Sequence, residues 1–96
     1  MFKHIVCFKL KQGEDVKKAA DVLRSMKGKV LAALEVEVGE DVLHSARSYD
    51  IILQVTLKDF AALEEYQNDA YHCGVVKKHM HAVREASVAV DVEIPD

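Results

Sequence analysis

The spacing of apolar residues changes several times along this chain, and each change predicts a different element of secondary structure. Over residues 2–11 apolar and polar positions alternate, which predicts a strand with one apolar face that a single histidine interrupts. Over residues 14–30 the apolar positions recur every three or four residues, as in an amphipathic helix, and Gly28 is a stop signal. Alternation over residues 34–38 then predicts a second strand, which ends or bulges near Gly39.

The second half of the chain shows the same two spacings of apolar residues. Residues 49–57 alternate and predict a third strand. Asp59 is a favourable N-cap for a short helix, and Asp69 is a favourable N-cap for another helix that reaches about Val83. Residues 86–94 alternate again and predict a closing strand. The predicted order is therefore β-α-β-β-α-β, with the second helix split in two.

This order is the split βαβ arrangement of ferredoxin-like folds, which belong to the α+β class. Right-handed crossovers place both helices on the same face of a four-stranded antiparallel sheet. The opposite face is predicted to carry Ile5, Cys7, Ile52 and Ala89 among polar side chains. Such a face is too apolar for water and too polar for a second core. We therefore expect it to pack against the same face of a second copy.

Length, charge and cysteine content narrow the class of protein. With 96 residues, 50% of them apolar, the chain is expected to form one small domain over positions 1–96. A formal net charge of −3 without a basic cluster argues against a nucleic-acid partner. No apolar run approaches the roughly 18 residues of a membrane span, so no membrane partner is expected. Cys7 and Cys73 form no CxxC pair and are interpreted as reduced thiols of a cytoplasmic protein.

Several short segments resemble one family of small domains. They are residues 2–6, 8–9, 37–39, 49–53, 63–68, 71–72, 75 and 88–91. In order and spacing these segments closely resemble the stress-responsive dimeric A/B-barrel (Dabb) family, and the resemblance covers essentially the whole chain. It implies a homodimer whose two sheets pack face to face into an α/β barrel with the helices outside. It also implies a pocket within each subunit, between the sheet and the helices.

The resemblance further implies a set of site residues. One plant member of the family, olivetolic acid cyclase, closes a linear polyketide by aldol condensation. Its catalytic tyrosine falls on Tyr66 of this chain and its catalytic histidine on His72, while a histidine that lines its pocket falls on His4. The resemblance therefore makes His72, Tyr66 and His4 the candidate catalytic residues.

The chain departs from the family pattern at two places. It has Asp69-Ala70 where a His-Pro pair is common, and Leu31 where a proline is common. Ala70 removes a rigid break ahead of His72, which puts the register of the second helix in question. Leu31 is expected to let the first helix run further. Asp69 and His72 share a helix face, so their side chains are able to pair and to orient the imidazole.

The predicted elements allow the three candidate residues to meet. His4 lies on the apolar face of the first strand, and Tyr66 and His72 lie on helix faces that should cover it. An imidazole can remove a proton next to a carbonyl, and a phenol can stabilise the resulting enolate oxygen. The structural alternative is that His72 is hydrogen-bonded locally and that Tyr66 is a core residue. Only His4 and His72 could share an ion, and because a third ligand is not evident we expect no metal and no cofactor.

Three functions are consistent with the sequence. The first is a homodimer of undetermined activity that binds a small apolar or carbonyl-bearing ligand between sheet and helices. The second is a cyclase-like lyase with His72 as base, Tyr66 as oxyanion donor and His4 in support. The third is a structural or stress-protective assembly, in which Met80 and Phe60 fill the cavity. An open pocket that joins the three candidate residues favours the first two.

Overall fold

A computed structural model describes residues 1–95 as one antiparallel sheet with helices on one side. The four strands are β1 (Phe2–Leu10), β2 (Glu35–Glu40), β3 (Ile51–Leu57) and β4 (Arg84–Glu93). The helices are α1 (Val16–Arg24), α2 (Phe60–Asn68) and α3 (Lys78–Val83), and a π-helical segment, His72–Lys77, leads directly into α3. The predicted β-α-β-β-α-β order with a split second helix is confirmed.

The sheet has the strand order β2-β3-β1-β4, and every neighbouring pair is antiparallel. This confirms the ferredoxin-like fold class. Alternate residues of β1 are buried on the side that faces the helices: Phe2, His4, Val6, Phe8 and Leu10. Removing such apolar surface from water contributes about 25 cal/mol per Å², so this face stabilises the packing of the helices on the sheet. From α1 the buried partners are Ala19, Ala20 and Leu23.

Helix α1 ends at Arg24, well before the predicted end at position 30. The Ser25 hydroxyl donates to the Val22 carbonyl at the helix end, and Gly28 has a φ of +76° that only glycine adopts freely. The chain therefore leaves the helix through a series of turns.

The apolar residues beyond Arg24 explain the longer prediction. Met26 and Val30 are 0% and 1% exposed, so the turns bury the same residues that a continued helix would bury. Leu31 is 89% exposed in a turn. The prediction that Leu31 extends the helix is wrong, because the backbone has already turned at Gly28.

Two aspartates begin the helical segments after β3, as predicted. The Asp59 side chain accepts a hydrogen bond from a backbone N–H in the first turn of α2. Asp69 Oδ1 accepts from the backbone N–H groups of Tyr71 and His72, at 2.8 and 3.0 Å. Asp69 has a non-helical ψ of 134°, so the break ahead of His72 persists although Ala70 replaces proline. The side-chain pair that Asp69 and His72 could have formed is absent, and Asp69 Oδ1 instead accepts from the backbone.

Two strand boundaries differ from the prediction. β3 begins at Ile51 rather than at position 49, since the Asp50 side chain accepts from the Leu10 N–H where a further ladder bond would lie. β2 pairs with β3 in unbroken register through Gly39, so the bulge considered there is absent. The register shift of this sheet lies instead between Lys9 and Leu10, where β1 meets β4.

The face of the sheet away from the helices, here called the open face, is more apolar than predicted. Val88 lies opposite Cys7 and Val90 opposite Ile5, whereas Ala89 lies opposite Val6 on the helix-covered side. The assignment of Ala89 to the open face is wrong, because the pairing register decides which side chains share a face. Val88 and Val90 are 52% and 58% exposed. The apolar residues of the open face on β1, β3 and β4 are Ile5, Cys7, Ile52, Ala86, Val88, Val90 and Val92.

None of the helices formed by residues 1–95 combines the length and the apolar character that crossing a bilayer requires.

Candidate functional site

A cavity of about 160 Å³ lies between the sheet and the helical layer. The three candidate residues His4, Tyr66 and His72 all line it. The rest of its wall is mainly apolar and comes from both layers: Val6, Phe8, Leu23, Leu53, Val76 and Met80. The folded chain therefore brings together residues from the first strand and from both parts of the split helix.

Tyr66 contacts both imidazoles. It is fully buried near the end of α2, and its ring stacks on His72 with 4.3 Å between centroids and 28° between planes. The centroid of the His4 ring lies 5.5 Å from that of Tyr66, with 58° between the two planes. The Tyr66 hydroxyl donates to Met26 Sδ at 3.6 Å, and a thioether is a weak acceptor. Tyr66 thus forms an aromatic partition in the cavity wall, with its hydroxyl directed at the turn after α1.

His4 is oriented by a carboxylate from the neighbouring strand. Asp91 lies directly opposite His4 in the β1–β4 register, and the two are joined by a 2.5 Å contact from Nδ1 to Oδ1. A carboxylate accepts here, so Nδ1 carries the hydrogen. His4 Nε2 is neither fully buried nor hydrogen-bonded to any residue of the described chain. This nitrogen is the one that His4 presents to other molecules.

His72 begins the π-helical segment, an uncommon helix type that is frequent at functional sites. The residue is only 8% exposed. Its Nδ1 is fully buried, and within residues 1–95 neither ring nitrogen has a hydrogen-bond partner. Buried polar groups in proteins are nearly always satisfied, so this imidazole is an exception that needs a physical reason.

Burial controls the protonation of both stacked rings. The pKa of His72 is lowered from its ordinary value, first because burial disfavours the charged form and then because of the positive charge of Lys77. The backbone carbonyls of Tyr66 and Gln67 oppose this shift, and His4 adds slightly to it. Burial raises the pKa of Tyr66 far above its ordinary value, and the negative charge of Asp69 adds to this. At neutral pH the site therefore holds a neutral His72 and a neutral phenol.

The lowered pKa of His72 predicts a loss of stability in acid. As the pH falls, the unfolded chain binds a proton on His72 near pH 6.5, whereas the folded chain binds it only at a lower pH. The stability that depends on a neutral His72 is therefore fully present above pH 6.5 and is lost as the pH falls through the folded pKa. Urea unfolding at neutral pH and at about pH 5 measures the loss. His72→Gln should reduce the loss, whereas the control His79→Gln should retain it. An equal acid loss in both variants would contradict a buried neutral His72.

The whole chain matches one family of known proteins. The sequence model of the stress responsive A/B barrel domain matches residues 2–94. The chain belongs to this family. This match confirms the family resemblance that the short segments of the sequence indicate. A comparison with curated protein sequences gives no significant match.

Solved structures share the fold of this A/B barrel domain at low sequence identity. A protein from Bacteroides fragilis, described as dimeric, ferredoxin-like and of unknown function, is 20% identical with a TM-score of 0.82, over 97% of this chain and 95% of its own. A hydroxynitrile lyase from Passiflora edulis is 14% identical with a TM-score of 0.84, over 99% and 94%. An antibiotic biosynthesis monooxygenase is 16% identical with a TM-score of 0.75, over 100% of both chains. Because proteins of this one fold have such different activities, the fold alone does not identify the function, and the residues of the site have to be considered.

Polar and positively charged side chains from the helical layer and β4 surround the mouth of the cavity. These residues are exposed or half-exposed: Gln67, Lys77, His81, Arg84 and Ser87. Arg84 Nη1 donates to Ser87 Oγ at 2.9 Å. The A/B barrel domain thus combines an apolar, histidine-lined interior with a cationic rim.

The predicted residues and the observed site overlap only in part. His4, Tyr66 and His72 lie together as the resemblance implies, but Asp91 and the rim residues Lys77 and Arg84 were missed. Asp91 is the single charged residue within the apolar run 86–92, and that isolation is a signal which could have indicated a role. Its pairing with His4 depends on the strand register, which the sequence does not specify.

The site contains few groups that could hold a metal. Within the described chain, no group of three or more His, Cys, Asp or Glu side chains is arranged to bind an ion. His4 Nδ1 is already engaged by Asp91. What the arrangement does offer is two imidazoles whose Nε2 atoms are not fully buried, both in contact with the buried Tyr66 ring.

Proposed function

We propose that this A/B barrel domain binds a small carbonyl-bearing ligand in the cavity between its sheet and helices. The observation that carries the proposal is that His72 lines the cavity and that its Nε2, the ring nitrogen that is not fully buried, has no hydrogen-bond partner in the described chain. A ligand that hydrogen-bonds to Nε2 would supply this partner. His4 supports the same conclusion, because Asp91 holds its ring in place and leaves Nε2 free.

The size of the cavity limits the ligand. An engineered protein cavity of about 150 Å³ accommodates benzene, so about 160 Å³ suits a body of similar size. A long linear polyketide exceeds this volume. Phe60 does not fill the cavity, since it is 68% exposed and contacts the Phe2 ring edge-on, while Met80 forms only part of the wall. The open cavity favours binding over a purely structural assembly.

The two imidazoles suggest complementary roles toward a carbonyl compound. The carbonyls of Tyr66 and Gln67 near His72 favour a hydrogen on the buried Nδ1, which leaves Nε2 as an acceptor. In its doubly protonated, cationic form, His4 keeps its Nδ1–H hydrogen bond to Asp91 and can donate from Nε2 to a carbonyl oxygen. A ligand with a carbonyl and an adjacent hydroxyl or acidic C–H group satisfies both.

The second candidate function is a lyase or cyclase that uses this pair, and the His4–Asp91 contact favours it. His72 would take a proton from the carbon next to the carbonyl, and the electron pair would move onto the carbonyl oxygen. His4 would stabilise that oxygen by donation, with its own charge balanced by Asp91. Tyr66 can act as the oxyanion donor only by leaving Met26 Sδ. The hydroxynitrile lyase among the similar structures shows that one protein of this fold is a lyase.

Ligand binding is tested with benzaldehyde as a probe by calorimetry and by thermal shift. We expect His72→Ala to weaken binding at least tenfold, because it removes a ring that lines the cavity and stacks on Tyr66; a tenfold change corresponds to about 1.4 kcal/mol. The matched control is His79→Ala, since His79 does not line the cavity. Equal affinities in the wild type and in both variants would rule out binding at this cavity.

The same variants separate binding from catalysis. If the domain catalyses carbon–carbon bond cleavage or formation, His72→Ala and Asp91→Asn should each lower the turnover of a small hydroxynitrile or enolisable ketone. Removal of a general base typically costs about 10²- to 10⁴-fold. Unchanged turnover in His72→Ala would eliminate the enzyme assignment and leave binding as the function.

We also propose that the functional unit is a homodimer formed through the open face. The similar protein from Bacteroides fragilis is described as dimeric, and the open face presents apolar residues on three adjacent strands. Val88 and Val90 are more than half exposed in the single chain. Pairing of two open faces would remove this surface from water while leaving the cavity, on the other side of the sheet, accessible.

A further inference from the structure

The mouth of the cavity is positively charged, and no acidic side chain of the described residues lines it. Lys77 from the π-helical segment and Arg84 from the start of β4 both contribute to the lining, together with the exposed His81. The domain as a whole carries a net charge of −3, so the charge at the mouth of the cavity is opposite in sign to the net charge of the chain.

Neither rim cation is neutralised by a carboxylate. Within residues 1–95 Lys77 takes part in no ion pair, and Arg84 uses Nη1 to donate to the neutral Ser87 hydroxyl. Four other cations of the chain have acidic partners within 4.0 Å, namely Lys3, Lys9, Lys17 and Arg24. The nearby Glu85 is engaged by Lys9, at 4.0 Å. Lys77 and Arg84 are therefore available to bind an anion.

The positive charge acts on the interior of the site. Lys77 contributes to the lowered pKa of His72, which places its charge within effective distance of that imidazole. Two carboxylates near the site have partners of their own, Asp69 accepting from backbone N–H groups and Asp91 from His4, and neither lines the cavity. An anion at the mouth would thus meet Lys77 and Arg84 with no carboxylate in the cavity lining.

We propose that the ligand of this cavity carries a carboxylate, which binds at the rim between Lys77 and Arg84 while its apolar, carbonyl-bearing part enters the cavity. This inference rests on the proposed ligand-binding function and narrows its substrate class to small oxo- or hydroxy-carboxylates. A guanidinium and an ammonium provide charge-assisted donors that fit a carboxylate. The cavity volume sets the size of the apolar part, and the rim selects the charged end.

The test compares two probes that differ by one carboxylate group, benzaldehyde and 4-formylbenzoate. Calorimetry at low salt should give about tenfold tighter binding of 4-formylbenzoate, and the difference should shrink as salt screens the rim. Lys77→Gln and Arg84→Gln should each remove most of the preference, measured as the ratio of the two affinities within the same variant. Lys78→Gln is the matched control, because Lys78 is exposed and does not line the cavity.

The outcomes separate this inference from the proposed function. Equal affinity for both probes, with loss of both in His72→Ala, would overturn the carboxylate preference and leave the ligand-binding function intact. A preference that Lys78→Gln abolishes as fully as Lys77→Gln would also overturn it, since the anion would then bind elsewhere. If neither probe binds the wild-type domain, the ligand-binding function fails and the carboxylate preference fails with it.

Discussion

Val90→Glu should convert the protein from a dimer to a monomer. Val90 lies on the open face of β4 opposite the apolar Ile5 of β1 and is 58% exposed in the single chain. In a dimer formed through this face, the new carboxylate would be buried without a partner, at a cost of several kcal/mol. Multi-angle light scattering should give twice the 10.7 kDa of one chain for the wild type and a single chain mass for the variant.

The control for this variant is Val75→Glu. Val75 is 43% exposed in the π-helical segment, on the side of the molecule away from the open face, so the same change there should leave the dimer intact. A wild-type protein with the mass of one chain would contradict the dimer. A dimer that survives Val90→Glu but not Val75→Glu would place the interface on the helical side.

Tyr66→Ala should be the most destabilising single substitution near the site. Tyr66 is 0% exposed and is one of the largest fully buried side chains, packed against His4 and His72. Removing a buried aromatic ring costs about 3–5 kcal/mol, a large share of the roughly 5–15 kcal/mol that stabilises a small domain. Urea unfolding measures the change directly. A loss below about 1 kcal/mol would show that Tyr66 is not a packed core residue.

Tyr66→Phe separates the ring from the hydroxyl. The ring and its stacking remain, and only the weak hydrogen bond to Met26 Sδ is lost, so stability should fall by about 1 kcal/mol or less. Benzaldehyde binding should persist, because the phenyl ring still contacts both imidazoles. If turnover is found and falls by about 10²-fold or more in this variant, the hydroxyl serves as an oxyanion donor after all.

The sequence predicts the strands and the face of β1 well because alternation is a local signal. His4 lies among buried apolar residues of β1, as the alternation indicates, and the strand register completes its environment. Asp59 and Asp69 were also predictable, since a cap acts within its own turn. These are the features that a few neighbouring residues decide.

Features that depend on distant contacts were not predictable. The pairing of His4 with Asp91 and the position of Ala89 both follow from the register of β1 with β4, strands that lie at opposite ends of the chain. The early end of α1 was missed because Met26 and Val30 have helical spacing but are buried by turns. The π-helical turn at His72 has no residue signature that periodicity reveals.

The most direct test of the account is nitrogen-15 NMR of the histidine side chains during titration with 4-formylbenzoate. If the cavity binds the ligand through its imidazoles, the ring signals of His72 and His4 should shift and saturate together, while those of the remote His44 and His79 stay in place. Signals of His72 and His4 that do not move at saturating probe concentration would contradict the central claim that these two imidazoles form a ligand-binding site.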